Sequence, residues 1–271
     1  MIAVGRVTGL LRKEIAELSR NRSALLPVVV VGLITTALPF FIAIVAPQLS
    51  GHPLSHDTDL LRSLATASSE LPGVYRLSDE GAVQAFIFSR FLVMTLLVPV
   101  TGAITFAGHS LVGEKIGRSL EPLLATPITT AELMLAKVIG ALLPSLAIMA
   151  LTVGVYLAGV GLFAEPGVLR TLLSPKTALL VLALGPLTAG VALQVGVIVS
   201  ARVNDPRTAQ QFSAWVVVPF LTLFFSQLTG VLVLSPLIAV VAAIMLAVIA
   251  GLAVWGVTAL FQREKILTKW T

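Results

Sequence analysis

Six long apolar stretches alternate with polar segments along the chain. A helix that crosses a bilayer needs about 20 mostly apolar residues, and each stretch is close to that length. The pattern therefore predicts an all-α integral membrane protein with six transmembrane helices. The predicted spans cover roughly 24–46, 86–110, 133–162, 177–201, 211–229 and 237–261.

The polar segments divide the rest of the chain. Residues 1–23 precede the first span, the spans and their connections form one domain over 24–262, and residues 263–271 form a tail. Within the domain, 47–85 and 111–131 are the two longest connections. The first is rich in Ser, Pro, Gly and acidic residues, a composition typical of a solvated loop.

A cluster of possible metal ligands occurs in the segment 47–85. Its members are His52, His56, Asp57 and Asp59. On a helix they would share a face, but Pro53 and the surrounding turn-forming residues argue against a helix there. We therefore expect a solvated loop and no metal site.

The composition supports a membrane protein and argues against a soluble domain or a nucleic-acid-binding protein. Hydrophobic residues make up 57% of the chain and charged residues 11%, whereas soluble domains carry about 25% charged residues. The net charge of +5 could indicate a nucleic-acid partner. However, Lys and Arg occur in short segments between apolar stretches, so no nucleic-acid surface is expected. Because cysteine is absent, disulfides, thiolate metal sites and a cysteine nucleophile are excluded.

The distribution of positive charge predicts the orientation. With the N-terminus inside, thirteen Lys and Arg residues fall on the inner side, Lys137 among them, and five fall on the outer side, including Arg90. Positive residues favour the cytoplasmic side of a membrane. We therefore expect a multi-pass protein of the cell inner (cytoplasmic) membrane, with both termini cytoplasmic and 47–85 as an external loop.

The N-terminal segment has the pattern of an amphipathic helix with a basic polar face. Its apolar positions recur at helical spacing; they are Val4, Val7, Leu11, Ile15 and Leu18. Such a helix lies in the headgroup region of a membrane. It is either a plain lipid anchor or a lever that joins the motion of a cytoplasmic partner to the first span.

A short charged stretch, GEKIGRSLEPLLATPIT at 113–129, separates the second and third spans. Ser119 can cap a helix whose leucines share one face, and Pro127 ends that helix. A capping-box pattern at 129–132 then begins the third span. The short helix either rests its leucines in lipid or docks them into a groove on a cytoplasmic partner.

Residues 113–137, GEKIGRSLEPLLATPITTAELMLAK, resemble the signature of ABC type-2 permeases, the membrane subunits of ATP-binding-cassette transporters. The segments NDPRTAQQ at 204–211 and FQREKILT at 261–268 are also similar to that family. Together with the six spans and the N-terminal helix, the resemblance covers essentially the whole chain.

The resemblance implies a coupling helix in the loop between spans 2 and 3. Two ABC ATPase subunits, which bind ATP and Mg, would push this helix, and the spans would alternate between inward and outward access. The chain itself has no phosphate-binding glycine-lysine motif and no cofactor. The resemblance further implies an exporter, a homodimer and an N-terminal connecting helix, which favours the lever. The implied coupling residues are Glu114, Lys115, Arg118, Leu120, Glu121, Leu123 and Leu124.

Polar residues within the spans are costly in lipid and mark candidate substrate contacts, although each alone is more often a packing residue. By resemblance, spans 2 and 5 line the path at the dimer interface. The candidates are Thr101, Thr105, Thr222 and Gln227. The apolar lining suits an amphipathic or lipid-like cargo. Gly230 and Pro236 interrupt the apolar run, which predicts a re-entrant hairpin between spans 5 and 6.

Two other functions compete with transport. An intramembrane protease or lipid-modifying transferase needs convergent His, Asp or Glu residues at membrane depth. The chain has three histidines, two of them in 47–85, so we expect no catalytic residue. A membrane anchor or scaffold that recruits an ATPase without transport fits the same pattern, and only a flux assay separates it from a permease.

Overall fold

The computed structural model describes residues 4–67, 71, 73–116, 130–202, 208, 211, 214–228 and 235–260. These residues form helices and turns, with no strand among them. The α-helices are, in chain order, α1 (Val4–Arg20), α2 (Arg22–Phe40), α3 (Ala46–Ser50), α4 (Thr58–Ala67), α5 (Asp79–Leu92), α6 (Leu97–Ile116), α7 (Thr130–Phe163), α8 (Val168–Leu172), α9 (Pro175–Leu179), α10 (Gly185–Arg202), α11 (Val217–Leu228) and α12 (Pro236–Leu260).

Several of these helices join end to end into longer rods. A π-helical turn connects α2 to α3, a 3₁₀ turn connects α5 to α6, and a second π-helical turn connects α9 to α10. Within the described residues, four helical stretches are long and apolar enough to cross a membrane. They are Arg22–Ser50, Asp79–His109, Leu135–Phe163 and Pro175–Val199.

The four stretches correspond to predicted spans 1 to 4, so the chain is an all-α protein with membrane-spanning helices. Two further apolar helices, Val217–Gln227 and Leu237–Leu252, lie where spans 5 and 6 were predicted and are shorter within the described residues. The total of six spans therefore remains a prediction. The hairpin predicted between spans 5 and 6 falls on residues 229–234, which lie outside the described ranges.

The helix of span 2 begins earlier than the apolar pattern indicated. Ser78 caps its first turn, where the Ser78 hydroxyl accepts a hydrogen bond of 3.0 Å from the Gly81 amide. Asp79 and Glu80 follow in that turn, where the helix dipole favours negative charge. A polar first turn leaves no apolar signal, so the expected start near residue 86 was late. Part of the expected loop 47–85 is also helical, because it contains α4.

Span 2 is the centre of the bundle. The most apolar part of span 2 is 89% buried within the chain, far more than the corresponding part of the other three stretches. Its second half, α6, packs against α2, α7 and α10. Small or branched side chains such as Val98, Ala103 and Ala107 fill this contact, and a continuous apolar core results.

An aromatic cluster ties spans 1, 2 and 3 together. The rings of Phe40, Phe88 and Tyr156 lie 5.0 to 5.9 Å apart, in tilted or edge-on arrangements. The Tyr156 hydroxyl donates a hydrogen bond of 2.7 Å to the Phe88 carbonyl. Gly159 allows this approach, because a Cβ there would lie 2.7 Å from the Phe40 ring.

Two cations that were counted for the orientation are buried in helices. Arg90 lies within α5, and its guanidinium carbon is 5.0 Å from the centroid of the Phe86 ring. Lys137 lies within α7 and is paired with an acid of α1. Neither residue contributes to a loop charge, although twelve inner and four outer cations still predict the same orientation.

We expect Tyr156→Phe to destabilise the protein, because it removes a buried hydrogen bond. The loss should be about 1 kcal/mol of unfolding free energy, measured by titration with a denaturing detergent. Tyr75→Phe is the matched control, since Tyr75 is 79% exposed and should be silent. Equal stability of the two variants would contradict the assigned role of the Tyr156 hydroxyl.

Candidate functional site

The N-terminal helix α1 lies against α7 with one face buried. Val7 and Leu18 on this face are buried, and Leu11 between them is half-buried. These positions recur every three or four residues, the period of a helix face. The helix predicted for this segment is therefore present, and its apolar face contacts protein.

An acid on the same face makes a buried ion pair. Glu14 lies three residues after Leu11, and one Glu14 carboxylate oxygen is 3.1 Å from the Lys137 ammonium nitrogen of α7. The two residues are only 5% and 6% exposed. Both charges have left water, so this contact depends on their mutual attraction in a way that a surface pair does not.

Small residues let α1 and α7 approach closely around this ion pair. A Cβ added at Gly140 would lie 3.0 Å from the Glu14 Cβ. Ala136 and Ala141 of α7 are also buried. Backbones can come this close only where side chains are small, so the geometry leaves the Glu14 side chain little freedom to move away from Lys137.

The junction between α1 and span 1 contacts the end of span 2. The Asn21 side chain accepts hydrogen bonds from the Ser23 hydroxyl at 2.6 Å and the Ala24 amide at 3.2 Å, which caps α2. Its amide nitrogen lies 3.5 Å from Nδ1 of His109 in α6. The α1 segment therefore touches both helices that flank residues 117–129.

The structure covers the predicted coupling residues only in part. Glu114 and Lys115 lie in the last turn of α6, and the chain remains helical to Ile116. The other five lie outside the described residues; they are Arg118, Leu120, Glu121, Leu123 and Leu124. The coupling role of all seven residues is therefore still a prediction. The third span begins at Thr130, the position that the capping-box pattern indicated.

The predicted path residues occupy different environments. Thr101 and Thr105 lie one turn apart in α6, half-buried and buried respectively, inside the enclosed span 2. Thr222 is exposed on α11, and its hydroxyl donates to the Val218 carbonyl of its own helix at 3.0 Å. Gln227 is 1% exposed. Among the described residues neither of its amide atoms has a hydrogen-bond partner.

These placements separate the four candidates. A buried amide without partners costs about 1–3 kcal/mol, whereas the Thr222 hydroxyl is already satisfied by its own helix. Gln227 is thus the candidate whose polar group calls for an additional partner. Gln194 of α10 is similar but less extreme, since among the described residues its Oε1 is the one amide atom that is both fully buried and without a partner.

The sequence interpretation missed Glu14 as a residue of interest. Its spacing was visible, because Glu14 lies three residues after Leu11 and four before Leu18, on the apolar face. The partner was not visible, because Lys137 lies 123 residues away. In the described part of the chain, no three His, Asp or Glu side chains are grouped closely enough to hold a metal ion.

The family model described as "ABC-2 family transporter protein" matches residues 9–269, nearly the whole chain. No curated protein matches the chain.

Cysteine cross-linking can test the packing of α1 against α7. The chain has no native cysteine, and the Cβ positions of residues 14 and 140 are 3.0 Å apart, near the roughly 3.5–4.5 Å of a disulfide. We expect Glu14→Cys with Gly140→Cys to cross-link in membranes on mild oxidation. A protease site engineered between residues 47 and 85 would reveal the bond on a non-reducing gel.

Glu17→Cys with Gly140→Cys is the control for this cross-link. Glu17 lies on the same helix but is exposed, so this pair should stay reduced. Similar cross-linking of both pairs would show that α1 does not rest on α7 through the Glu14 face.

Proposed function

The chain belongs to the ABC-2 transporter family and is therefore a membrane subunit of an ABC transporter, and we propose that it is an exporter that works by alternating access. The match includes residues 113–137 and confirms the resemblance found there. A transport subunit of this family is not itself an ATPase and associates with an ABC ATPase subunit. The family match is the observation that carries the proposal.

We place the ATPase contact at residues 111–131. In this proposal two ATPase subunits bind two copies of the chain. Each ATPase subunit binds the leucines of one coupling helix in a groove. Glu114 and Lys115 pass the force into span 2, and Arg118 and Glu121 fix the register of docking. The helices on both sides of the loop support this assignment, because α6 reaches Ile116 and α7 begins at Thr130, so a displacement of the loop acts directly on spans 2 and 3.

We place the contact with a second copy of the chain on α11. Trp215, Val218 and Phe225 are large apolar residues that are exposed on and just before this helix. Span 2 is enclosed by its own chain. We therefore propose that span 5 makes the dimer contact and that span 2 does not. Cargo is then proposed to pass beside α11, with Gln227 as its polar contact and an apolar lining that suits an amphipathic or lipid-like molecule.

In this proposal Thr101 and Thr105 contribute to the path only when span 2 moves relative to its neighbours. In the same proposal, α1 and the loop at 117–129 lie on the cytoplasmic side of the cell inner membrane. ATP and Mg are bound by the partner and not by this chain.

Truncating the coupling leucines tests the docking proposal. Leu120→Ala with Leu123→Ala and Leu124→Ala removes apolar contact worth several kcal/mol of binding free energy. The co-purified ATPase should therefore fall by roughly tenfold or more at equal membrane insertion. A matched triple control, made at exposed leucines away from the loop, replaces Leu49, Leu162 and Leu173. Unchanged recruitment by the first variant would contradict the docking proposal.

Replacing the buried amide tests the path proposal. Gln227→Leu removes two unsatisfied polar atoms, so the unfolding free energy should rise by about 1–3 kcal/mol. ATP-driven flux of a fluorescent lipid in proteoliposomes should fall, because the cargo loses its polar contact. Thr222→Val should change neither quantity.

The two readouts for Gln227→Leu must move in opposite directions. If this variant is less stable and equally active, the amide serves packing and the proposed path is wrong. ATPase recruitment without flux in the unaltered transporter would instead favour a scaffold.

A further inference from the structure

The ion pair between Glu14 and Lys137 is an unusual choice for a helix contact. Two charges with 5% and 6% exposure lose most of their hydration, and apolar residues of similar size often stabilise such a site equally well or better. What an ion pair adds is direction and distance, because its attraction depends on which two atoms meet. An apolar contact can slide, since burial of apolar surface is non-directional.

The pair lies close to the proposed ATPase contact. Helix α7 begins at Thr130, directly after residues 117–129. Lys137 follows seven residues later, roughly 10 Å along the helix axis. A displacement of the loop therefore reaches Lys137 through two rigid turns of helix. Gly140 allows α1 to lie close against this part of α7. When this part of α7 moves, Glu14 therefore either moves with Lys137 or loses the ion pair.

The same helix α1 is held near the other side of the loop. His109 lies seven residues before the end of α6 at Ile116, and the Asn21 amide lies 3.5 Å from its ring. Asn21 also separates α1 from α2 and caps α2. Movement of α1 thus turns about Asn21 and passes directly into span 1.

We propose that Glu14 and Lys137 are a positioning pair that makes α1 follow the movement of the ATPase-contacting loop, so that ATP hydrolysis is coupled to movement of span 1. The proposal rests on the function proposed above. In this proposal the pair determines how many cargo molecules are moved per ATP, and it is not required for assembly or stability. The register of α1 on α7 is the quantity that the charges control.

The decisive variant removes both charges and keeps the volume. Glu14→Leu with Lys137→Leu leaves an apolar contact that supports the fold but does not fix the register. The variant is purified with its ATPase and reconstituted into proteoliposomes. We expect normal recruitment and ATP hydrolysis, with the number of cargo molecules moved per ATP reduced by about fivefold or more, the range of a typical coupling free energy.

Exchanging the charges provides the rescue. Glu14→Lys with Lys137→Glu restores a directed contact between the same helices, and it should recover most of the transport per ATP that the leucine pair loses. The matched control exchanges an exposed ion pair on α1, where the Lys13 and Glu17 side chains lie 3.5 Å apart and are 41% and 60% exposed. Lys13→Glu with Glu17→Lys should leave transport per ATP unchanged.

Three results would overturn the proposal. The leucine pair could transport as many molecules per ATP as the unaltered chain, which would make the charges dispensable. The charge exchange could fail to restore transport per ATP where the leucine variant is assembled but uncoupled, which would show that register is not what the charges supply. Both double variants could lose ATPase recruitment or aggregate, which would show that the pair is required for folding or assembly. A failure of the unaltered chain to recruit an ATPase would instead defeat the proposed function.

Discussion

A charged or polar group removed from water must find a partner inside the protein, and this constraint organises the molecule. Where partners exist, they join helices that are distant in the chain, as Glu14 joins Lys137 and Tyr156 joins the carbonyl of Phe88. Where partners are lacking, as at Gln227, the buried state carries a cost that a cargo or a second conformation can relieve. In the proposed mechanism the satisfied groups hold the helices together, and the Gln227 amide is the group that gains a contact when cargo passes.

The helices connect these features into one mechanical arrangement. Span 2 is enclosed by spans 1, 3 and 4, so a force on span 2 also acts on these neighbours. Helix α1 touches span 3 through Glu14, and Asn21, which joins α1 to span 1, touches span 2. A push on the loop is consequently distributed over three spans. This arrangement suits a transporter in which the energy source lies on a separate subunit.

The sequence was sufficient for features that extend over many residues and insufficient for pairwise contacts. Long apolar runs and the signature at 113–137 predicted spans 1 to 4 and the family, because lipid thickness and a specific motif both leave strong patterns. The early start at Asp79 was missed because a polar first turn carries no apolar signal. Glu14 was missed because the importance of a polar residue on an apolar face depends on a partner that the local pattern does not contain. The buried environment of Gln227 depends in the same way on how α11 packs.

The most direct test of the account is purification of the tagged chain from its native membranes in a mild detergent, with mass spectrometry of the proteins that accompany it. An ABC ATPase should accompany the chain in a near one-to-one ratio. A chain that emerges from a verified intact preparation without any ATPase would contradict the claim that a separate nucleotide-binding subunit drives this protein.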